Sequence, residues 1–171
     1  MACNSKTLKG LINQCDSSRG GVKRILIADR TADIKFTESE GIVTAVTGGT
    51  WYEYYIKPNT SSFTSTATID AANGVNYVET KLNIVFTKID NVKRLEMNAL
   101  LVSDVYVIVE DANGVCHLLG YQEAVTATNA TAESGTAKAD GNKYTLELTD
   151  TTDGFPVQVQ ASVLDTLNAG A

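Results

Sequence analysis

Short runs of alternating apolar and polar residues, cut at close intervals by Gly, Asn and Asp, recur along most of this 171-residue sequence. Alternation with a period of two is typical of a half-buried strand, and turn residues between such runs indicate hairpins. The clearest run is Leu82, Ile84 and Phe86, inside a strand predicted from Val75 to Ile89. The pattern predicts a mainly β protein, either an antiparallel β-sandwich or a barrel.

Turn signals divide the rest of the sequence. Gly48-Gly49 predicts a hairpin between two strands because both glycines accept positive φ, and Asn113-Gly114 is the strongest short hairpin signal. The segment from Leu164 to Ala171 has no visible partner. The remaining strands are predicted at Val22 to Ala28, Asp33 to Thr37, Gly41 to Thr47, Thr50 to Ile56, Asp104 to Asp111, Val115 to Tyr121, Ala124 to Ala130, Gly135 to Ala139, Lys143 to Thr149 and Pro156 to Val163.

One long helix is predicted from Asn91 to about Val102, with Asp90 as its N-cap. Its apolar residues recur at spacings of three and four, which places them on one face: Val92, Leu95, Ala99 and Val102. We expect this stripe to pack on an open sheet face or a barrel mouth. A shorter helix is predicted over Ser5 to Gln14, within an N-terminal segment of residues 1–21.

Length and charge limit the classes of function. A chain of 171 residues fits one domain, which buries roughly 70% of its unfolded surface. Its 14 Lys and Arg against 20 Asp and Glu give a net charge of −6, and basic residues cluster only in pairs such as Lys23-Arg24 and Lys93-Arg94. Tight nucleic-acid binding needs larger basic clusters. An acidic surface can instead line a conduit along which DNA slides without sticking.

The cysteines and the hydropathy exclude two further classes. Cys3, Cys15 and Cys116 are odd in number and form no CxxC pair, so we expect no disulfide framework and no zinc site, and a reduced compartment fits best. No apolar run approaches the ~20 residues that a membrane-spanning helix needs. We therefore predict no membrane partner.

The segment from Lys57 to Asn73 is rich in Ser, Thr, Asn and Ala, and Pro58 stands near its start. Faint alternation in Phe63, Ser65, Ala67 and Ile69 indicates a strand with a weak apolar face. Two interpretations remain open: a polar arm or extended loop (57–73) that pairs with a strand of another chain, or an ordinary edge strand.

The sequence TWYEYYI, Thr50 to Ile56, holds the one tryptophan and three of the seven tyrosines. Alternation places Trp51, Glu53 and Tyr55 on one face and Tyr52, Tyr54 and Ile56 on the other, so both faces are aromatic. One face is then expected in the core and the other against a protein partner or a stacked sugar ring. A central strand packed on both sides is the alternative. The predicted assembly interface is Trp51, Tyr52, Tyr54, Tyr55, Phe63 and Ile69.

Catalytic residues are sparse. The single histidine, His117, cannot form a multi-histidine metal site, and a Ser/His/Asp or Cys/His arrangement would have to be built around it. Its neighbour Cys116 points to the opposite sheet face. Acid pairs occur at Glu38 with Glu40 and at Asp150 with Asp153, where sugar-bond hydrolysis or calcium binding is conceivable, but neither pair carries a motif. Phosphate-binding glycine loops are absent. We predict no enzyme, no cofactor and no metal.

Three stretches carry a resemblance to a known family: GGVKRILIAD (Gly20 to Asp29), the segment from Val78 to Tyr121 with EDANG…LG after the helix, and ATNATAESGTAKADGNKYTLELT (Ala127 to Thr149). Together they resemble small virion structural proteins of Bacteroidetes phages, the crAss-like phages among them. The resemblance implies a tail-tube-like β-sandwich or barrel with one flanking helix, forming a ring as a tail-tube, neck or connector subunit. It implies no catalytic residues.

The resulting hypothesis is a virion structural protein, assembled in the host cytoplasm, that joins copies of itself and other virion proteins in a ring around a channel. DNA would pass through that channel without specific binding. The alternative is a carbohydrate- or receptor-binding β-sandwich module of a fibre or adhesin, in which Trp51, Tyr52 or Tyr55 stacks on a sugar ring. A hydrolase that uses His117 or a carboxylate pair is the weakest hypothesis.

Overall fold

The computed structural model describes residues 10–11 and 18–168 of the chain. These form eleven strands and two helices in two sheets. In chain order the elements are β1 (Val22–Asp29), β2 (Lys35–Ser39), β3 (Ile42–Thr47), β4 (Tyr52–Tyr54), β5 (Ser62–Asp70), β6 (Val75–Thr87), α1 (Asn91–Leu100), β7 (Val105–Asp111), β8 (Cys116–Leu119), β9 (Thr126–Glu133), β10 (Lys143–Thr152), β11 (Val157–Val159) and α2 (Ala161–Asn168).

The protein is a β-sandwich with a flanking helix, as the alternating sequence pattern predicts. The larger sheet has the strand order β2-β3-β11-β8-β7-β1-β4, and the smaller has the order β5-β6-β10-β9. All pairs are antiparallel except β11 with β3, which run parallel. The predicted predominance of antiparallel pairing is confirmed.

The first core lies between the two sheets. Alternate residues of β1 and β7 point into it, among them Ile25, Ile27, Val107 and Val109. The smaller sheet supplies the side chains that meet them, which are Leu82, Ile84, Leu146 and Leu148, all of them fully buried. Burying each such side chain stabilises the fold by roughly 1.5–3 kcal/mol, so the alternation in β6 and β10 specifies which face is inside.

A second core covers the opposite face of the larger sheet. The intervening residues of the same strands, such as Leu26 and Ile108, pack there with Leu118, under the side chains of α2. The helix contributes Val163 and Leu164, which are 5% and 0% exposed. Strands β1 and β7 are therefore buried on both faces, which explains their nearly continuous apolar sequences.

The end of the chain differs from the sequence prediction. The strand predicted from Pro156 to Val163 is only Val157–Val159, and the segment predicted to lack a partner begins inside α2. A helix of eight residues is too short for apolar periodicity to identify it reliably in the sequence. Its stability comes from packing in the second core, which forms only when the larger sheet is assembled. The prediction for Leu164 was therefore wrong.

The prediction of a hairpin at Gly48-Gly49 was also wrong. Both glycines have positive φ (82° and 69°), but β4 pairs with β1 at the far edge of the sheet, and β3 pairs with β2 and β11. The glycines serve a close approach instead: the Gly49 amide donates to the Asp33 carboxylate at 2.9 Å, and a Cβ on Gly48 would lie 2.2 Å from the Asp33 carbonyl oxygen.

Two other boundaries need correction. The strand predicted at Ala124 to Ala130 is β9, which continues to Glu133. The strand predicted at Gly135 to Ala139 was wrong: these residues form a turn, in which the Asp140 carboxylate accepts from the amides of Thr136 and Ala137. The helix predicted over Ser5 to Gln14 lies outside the described residues apart from positions 10–11.

The polar segment from Lys57 to Asn73 contains β5. This strand pairs with β6 along its whole length, from Ser62 opposite Asn83 to Asp70 opposite Val75. Of the two interpretations, the structure has the edge strand, and its partner belongs to the same chain. Phe63 packs against the first core from this edge.

The burial of α2 yields a stability prediction. Leu164→Ala should lower the free energy of unfolding by about 2–5 kcal/mol, because it empties a fully buried position under the larger sheet. Urea unfolding followed by circular dichroism measures the change. The matched control is Ser162→Ala in the same helix, whose side chain is exposed, and it should change stability by less than about 0.5 kcal/mol. Equal stability of Leu164→Ala and the wild type would contradict the second core.

Candidate functional site

Helix α1 begins where the sequence predicts, but it packs through a different face. The Asp90 side chain accepts from the Lys93 amide at 2.8 Å, which confirms the N-cap. The residues that enter the core are Met97 and Leu100, each 5% exposed. The predicted stripe points to solvent, with Val92 at 77% and Val102 at 86% exposure. The prediction that this stripe covers a sheet face was therefore wrong.

The outward apolar stripe of α1 consists of Val92, Leu95 and Ala99 within the helix and of Val102, two residues after the helix ends at Leu100. Leu95 is 55% exposed, and Leu101, next to the end of the stripe, is 46% exposed. Val92, Leu95 and Ala99 share one side of the helix because they are three and four residues apart, and the exposed Val102 follows them in the turn after the helix. Nothing else in the described part of the chain covers it.

A groove lies between α1 and the edge strand β4. It has a volume of about 360 Å³ and is lined mostly by apolar and aromatic side chains, chiefly Tyr52, Tyr54, Tyr55, Phe86, Val92 and Met97. Tyr52 is 54% and Tyr55 86% exposed at its rim. We refer to this feature as the α1–β4 groove. Because Val92 belongs to both, the groove and the outward stripe form one surface.

Tyr54 fixes the geometry of the groove. Its register opposite Ile25 turns the ring toward the first core, and the ring lies 6.0 Å from that of Phe86. The Tyr54 hydroxyl donates a hydrogen bond to Glu96 of α1. Burial, together with this carboxylate, raises the pKa of the Tyr54 hydroxyl, so it stays a donor at all physiological pH values. The bond ties the helix to the edge strand.

The six residues of the predicted interface separate into three groups. Tyr52, Tyr54 and Tyr55 line the α1–β4 groove. Phe63 is partly buried against the first core, and Ile69 is 74% exposed near the far end of β5. The prediction for Trp51 was wrong: this residue is 3% exposed within the second core, so it contacts the chain's own interior and not a partner. The alternation in the strand placed it correctly opposite Tyr52 and Tyr54.

His117 and Cys116 lie on opposite faces of the larger sheet. Its ring packs 5.0 Å from that of Phe63, and its Nε2 lies 3.8 Å from a carboxylate oxygen of Asp111. Cys116 faces the second core, as the alternation predicted, and burial raises the pKa of its thiol to about 11. A thiol with a raised pKa is a poor nucleophile. The pair therefore forms no catalytic dyad.

Glu38 and Glu40, one of the two predicted carboxylate pairs, differ in their local structure. Glu38 accepts a hydrogen bond from the Tyr121 hydroxyl at 3.0 Å, while Glu40 occupies the first of two positive-φ positions in the β2–β3 turn, before Gly41. Among the described residues, no group of three or more His, Cys, Asp or Glu side chains is arranged to hold a metal ion. The same part of the chain contains no helix that is both long and apolar enough to span a membrane.

The sequence pattern did not predict the two open edges of the smaller sheet. In the described residues, no strand pairs with the outer side of β5 or of β9. These edges are nine and eight residues long and carry neither Lys nor Pro, two of the devices that discourage pairing between sheets. The composition indicated an edge strand near Ser65, but pairing order is set by contacts distant in sequence.

Neither a protein-family model nor a curated protein matches this sequence.

The surroundings of His117 give a prediction on pH. Burial lowers the pKa of His117, opposed by the nearby Asp111 carboxylate. The folded state therefore favours the neutral imidazole, and its contribution to stability is complete above about pH 6.5 and is lost as the pH falls through the folded-state pKa. Urea unfolding of wild type and His117→Gln at several pH values between 5 and 8 measures it. The variant should lose less stability on acidification, and identical pH profiles would contradict the prediction.

Proposed function

We propose that the protein is a structural subunit that assembles with copies of itself into a closed ring or tube, as a virion component of the tail, neck or connector type. The observation that carries this proposal is the outward apolar stripe of α1. A helix on a sandwich normally buries its apolar face, whereas this helix is held by Met97 and Leu100 and presents Val92 and Leu95 to solvent, with Val102 exposed just after its end.

The composition of this surface supports a protein partner. Large exposed apolar patches on folded proteins mark interaction sites, and tyrosine is enriched at the energetic centres of interfaces. Tyr52 and Tyr55 stand beside the stripe, and Lys93 and Glu96 offer charges within the groove. An apolar centre with polar groups around it is the usual anatomy of a protein–protein interface.

Ring formation needs two different surfaces, and the chain offers a second one. A head-to-tail contact closes a ring only when one patch meets a different patch on the next copy. The unprotected edges of β5 and β9 lie on opposite sides of the smaller sheet, so the β5 edge of one copy can pair with the β9 edge of the next. The smaller sheets would then run continuously around the ring.

The outer face of the smaller sheet suits a channel wall that does not grip DNA. Residues of β6 and β10 that alternate with the buried leucines point outward, and the cations among them are paired. Lys81 lies 3.2 Å from Glu79, and Lys143 lies 3.4 Å from Glu133. Paired lysines gain little by neutralising phosphates, which agrees with the net acidic chain. The resemblance of Gly20 to Asp29, Val78 to Tyr121 and Ala127 to Thr149 to phage virion proteins favours this setting.

The stripe of α1 gives the first test. Leu95→Glu combined with Val102→Glu should weaken self-association by about 30-fold per residue, because burying each apolar side chain contributes about 2 kcal/mol. Sedimentation velocity over a concentration series measures association, and urea unfolding checks that the monomer stays folded. The matched control is Val115→Glu, an apolar-to-acidic change at another exposed position, which should assemble like the wild type.

Two outcomes would overturn the assembly role of the stripe. One is a wild type that remains monomeric at every concentration, and the other is a double variant that assembles normally. If the monomer instead binds a glycan array and loses that binding on Tyr55→Ala, the carbohydrate-binding alternative takes precedence, since the exposed tyrosines beside the groove can stack on sugar rings.

The sheet edge gives an independent test. Thr66→Lys places a charged side chain on the edge strand β5, where lysine discourages pairing with another strand. Thr145→Lys makes the same change on β10, which is central in the same sheet, and its side chain points to the same outer face. Electron microscopy should find rings for Thr145→Lys and few or none for Thr66→Lys. Rings in equal number from both variants would contradict pairing at β5.

A further inference from the structure

The β5–β6 hairpin extends beyond the rest of the smaller sheet. Pairing of β6 with β10 ends at Val78, whereas its pairing with β5 continues to Val75. Among the described residues, positions 75–77 of β6 therefore have a partner strand on one side only, and they project by about 10 Å at 3.3 Å per residue. We refer to residues 67–77 as the hairpin tip.

The hairpin tip exposes apolar side chains on both of its faces. Ile69 continues the alternating series of β5 that begins with Phe63 at the first core, yet it is 74% exposed. Val75, which alternation places on the opposite face, is 42% exposed. A hairpin of two strands gains little stability by itself in water, and exposed apolar side chains mark contact surfaces. These features favour a partner at the tip.

Hydrogen bonds hold the turn of the hairpin tip in one conformation. The Asp70 carboxylate accepts from the amides of Ala72 at 3.0 Å and Asn73 at 3.2 Å, and from the side-chain nitrogen of Asn73 at 2.6 Å. These bonds hold the pKa of the Asp70 carboxyl below its usual value, so the tip carries a negative charge. A turn that is already ordered loses less conformational entropy when it binds.

The end of the sandwich that carries the hairpin tip is acidic. Asp153 follows β10 there, and its amide donates to the Gln122 side chain at 2.9 Å, next to Glu123. Together with Asp70 these acids take part in no ion pair among the described residues. Arg30, which lies at the same end, is bonded to the Gln122 carbonyl at 3.0 Å. This end therefore has an excess of negative charge.

The opposite end of the smaller sheet, where β6 leads into α1, has an excess of positive charge. Two of its lysines are paired with acids, Lys93 at 2.9 Å and Lys143 at 3.4 Å. The cations there that have no acidic partner in the described part of the chain are Lys88, Arg94 and Lys138. Against them stands Asp140, whose carboxylate accepts from amides of its own turn. The two ends are thus complementary in charge, which favours head-to-tail contact.

The positive end also offers apolar surface. Val92, in the first turn of α1, is 77% exposed, and it lines the α1–β4 groove together with Phe86, next to the last residue of β6. Tyr55 at the rim of the groove is 86% exposed. An apolar centre beside cations matches the hairpin tip, which presents Ile69 beside the charge of Asp70.

We propose that the hairpin tip of one copy docks on the first turn of α1 of another copy, with Ile69 against Val92 and Asp70 facing Lys88 and Arg94. This inference rests on the proposed assembly function and names the surface that meets the start of the outward stripe. The two contact surfaces lie at opposite ends of the sandwich, so the contact joins copies end to end along the strands. Rings closed by sideways pairing of β5 with β9 would stack through it into a tube.

A cysteine cross-link tests the contact directly. The double variant Ile69→Cys with Val92→Cys is made in a Cys3→Ser, Cys15→Ser background, in which Cys116 stays because it is 1% exposed. A short bismaleimide is added to the full chain, and denaturing gels show the covalent products. Urea unfolding checks that the variants stay folded, as the exposure of both positions leads us to expect.

A cross-link within one copy is excluded by distance. Ile69 lies opposite Asn76, and β6 runs eleven residues from there to Thr87, a length of about 36 Å that a short cross-linker does not span. The double variant should therefore give dimers, trimers and longer covalent chains, and each single variant should stay monomeric. Added salt should lower the yield, because the contact brings opposite charges together.

The matched control combines Ile69→Cys with Ile42→Cys. Ile42 is a 40% exposed apolar residue on β3, which lies five strands from β4 in the larger sheet. This pair should stay monomeric under the same conditions. Cross-linking of the control as strong as that of the double variant, or of Ile69→Cys alone, would overturn docking on α1.

Native mass spectrometry of the wild type separates this inference from the proposed function. If rings form but the double variant gives no cross-link between copies, docking of the hairpin tip is overturned and ring assembly stands. A wild type that is monomeric at every concentration overturns both. Rings together with a ladder of cross-linked chains from the double variant support both.

Discussion

The fold depends on the central pair β1 and β7, which is buried on both faces. One face meets the smaller sheet across the first core, and the other lies under α2 and the β2–β3 hairpin. Each strand must therefore present apolar side chains in both directions, as Ile25 and Leu26 do in β1 and Val107 and Ile108 in β7. With this pair in place, β4 is left as an exposed edge beside α1, and the turn after β10 must bridge the two sheets.

Much of this architecture was predictable from local pattern. Alternation predicted the inward-facing residues of the smaller sheet. Asn113-Gly114 predicted the β7–β8 turn, and Asp90 predicted the start of α1. Features that depend on distant contacts were not predictable. Gly48-Gly49 is a turn whose glycines approach Asp33 closely, and a hairpin pattern cannot reveal that β4 crosses to the other edge. The eight-residue helix α2 owes its stability to the second core and carries little periodic signal of its own.

The candidate site shows the same division. The stripe of α1 was identified correctly as a set of residues, but its direction was not, because an apolar stripe that faces a partner has the same periodicity as one that faces the core. Met97 and Leu100 determine which side of α1 faces the core, but in the sequence they form no stronger apolar pattern than the stripe does. Trp51 was the reverse case: an aromatic residue expected at a contact surface is enclosed by the second core. Among the described residues, the interior is well packed, whereas the apolar strip at α1 and the outer edges of β5 and β9 have no partner.

We propose that these surfaces are completed by other copies of the chain. Native mass spectrometry of the unmodified protein over a range of concentrations tests it most directly. We expect a closed oligomer with one fixed copy number that accumulates as concentration rises, because a ring of head-to-tail contacts ends when it closes. A monomer at every concentration, or a symmetric dimer that grows no further, would contradict it.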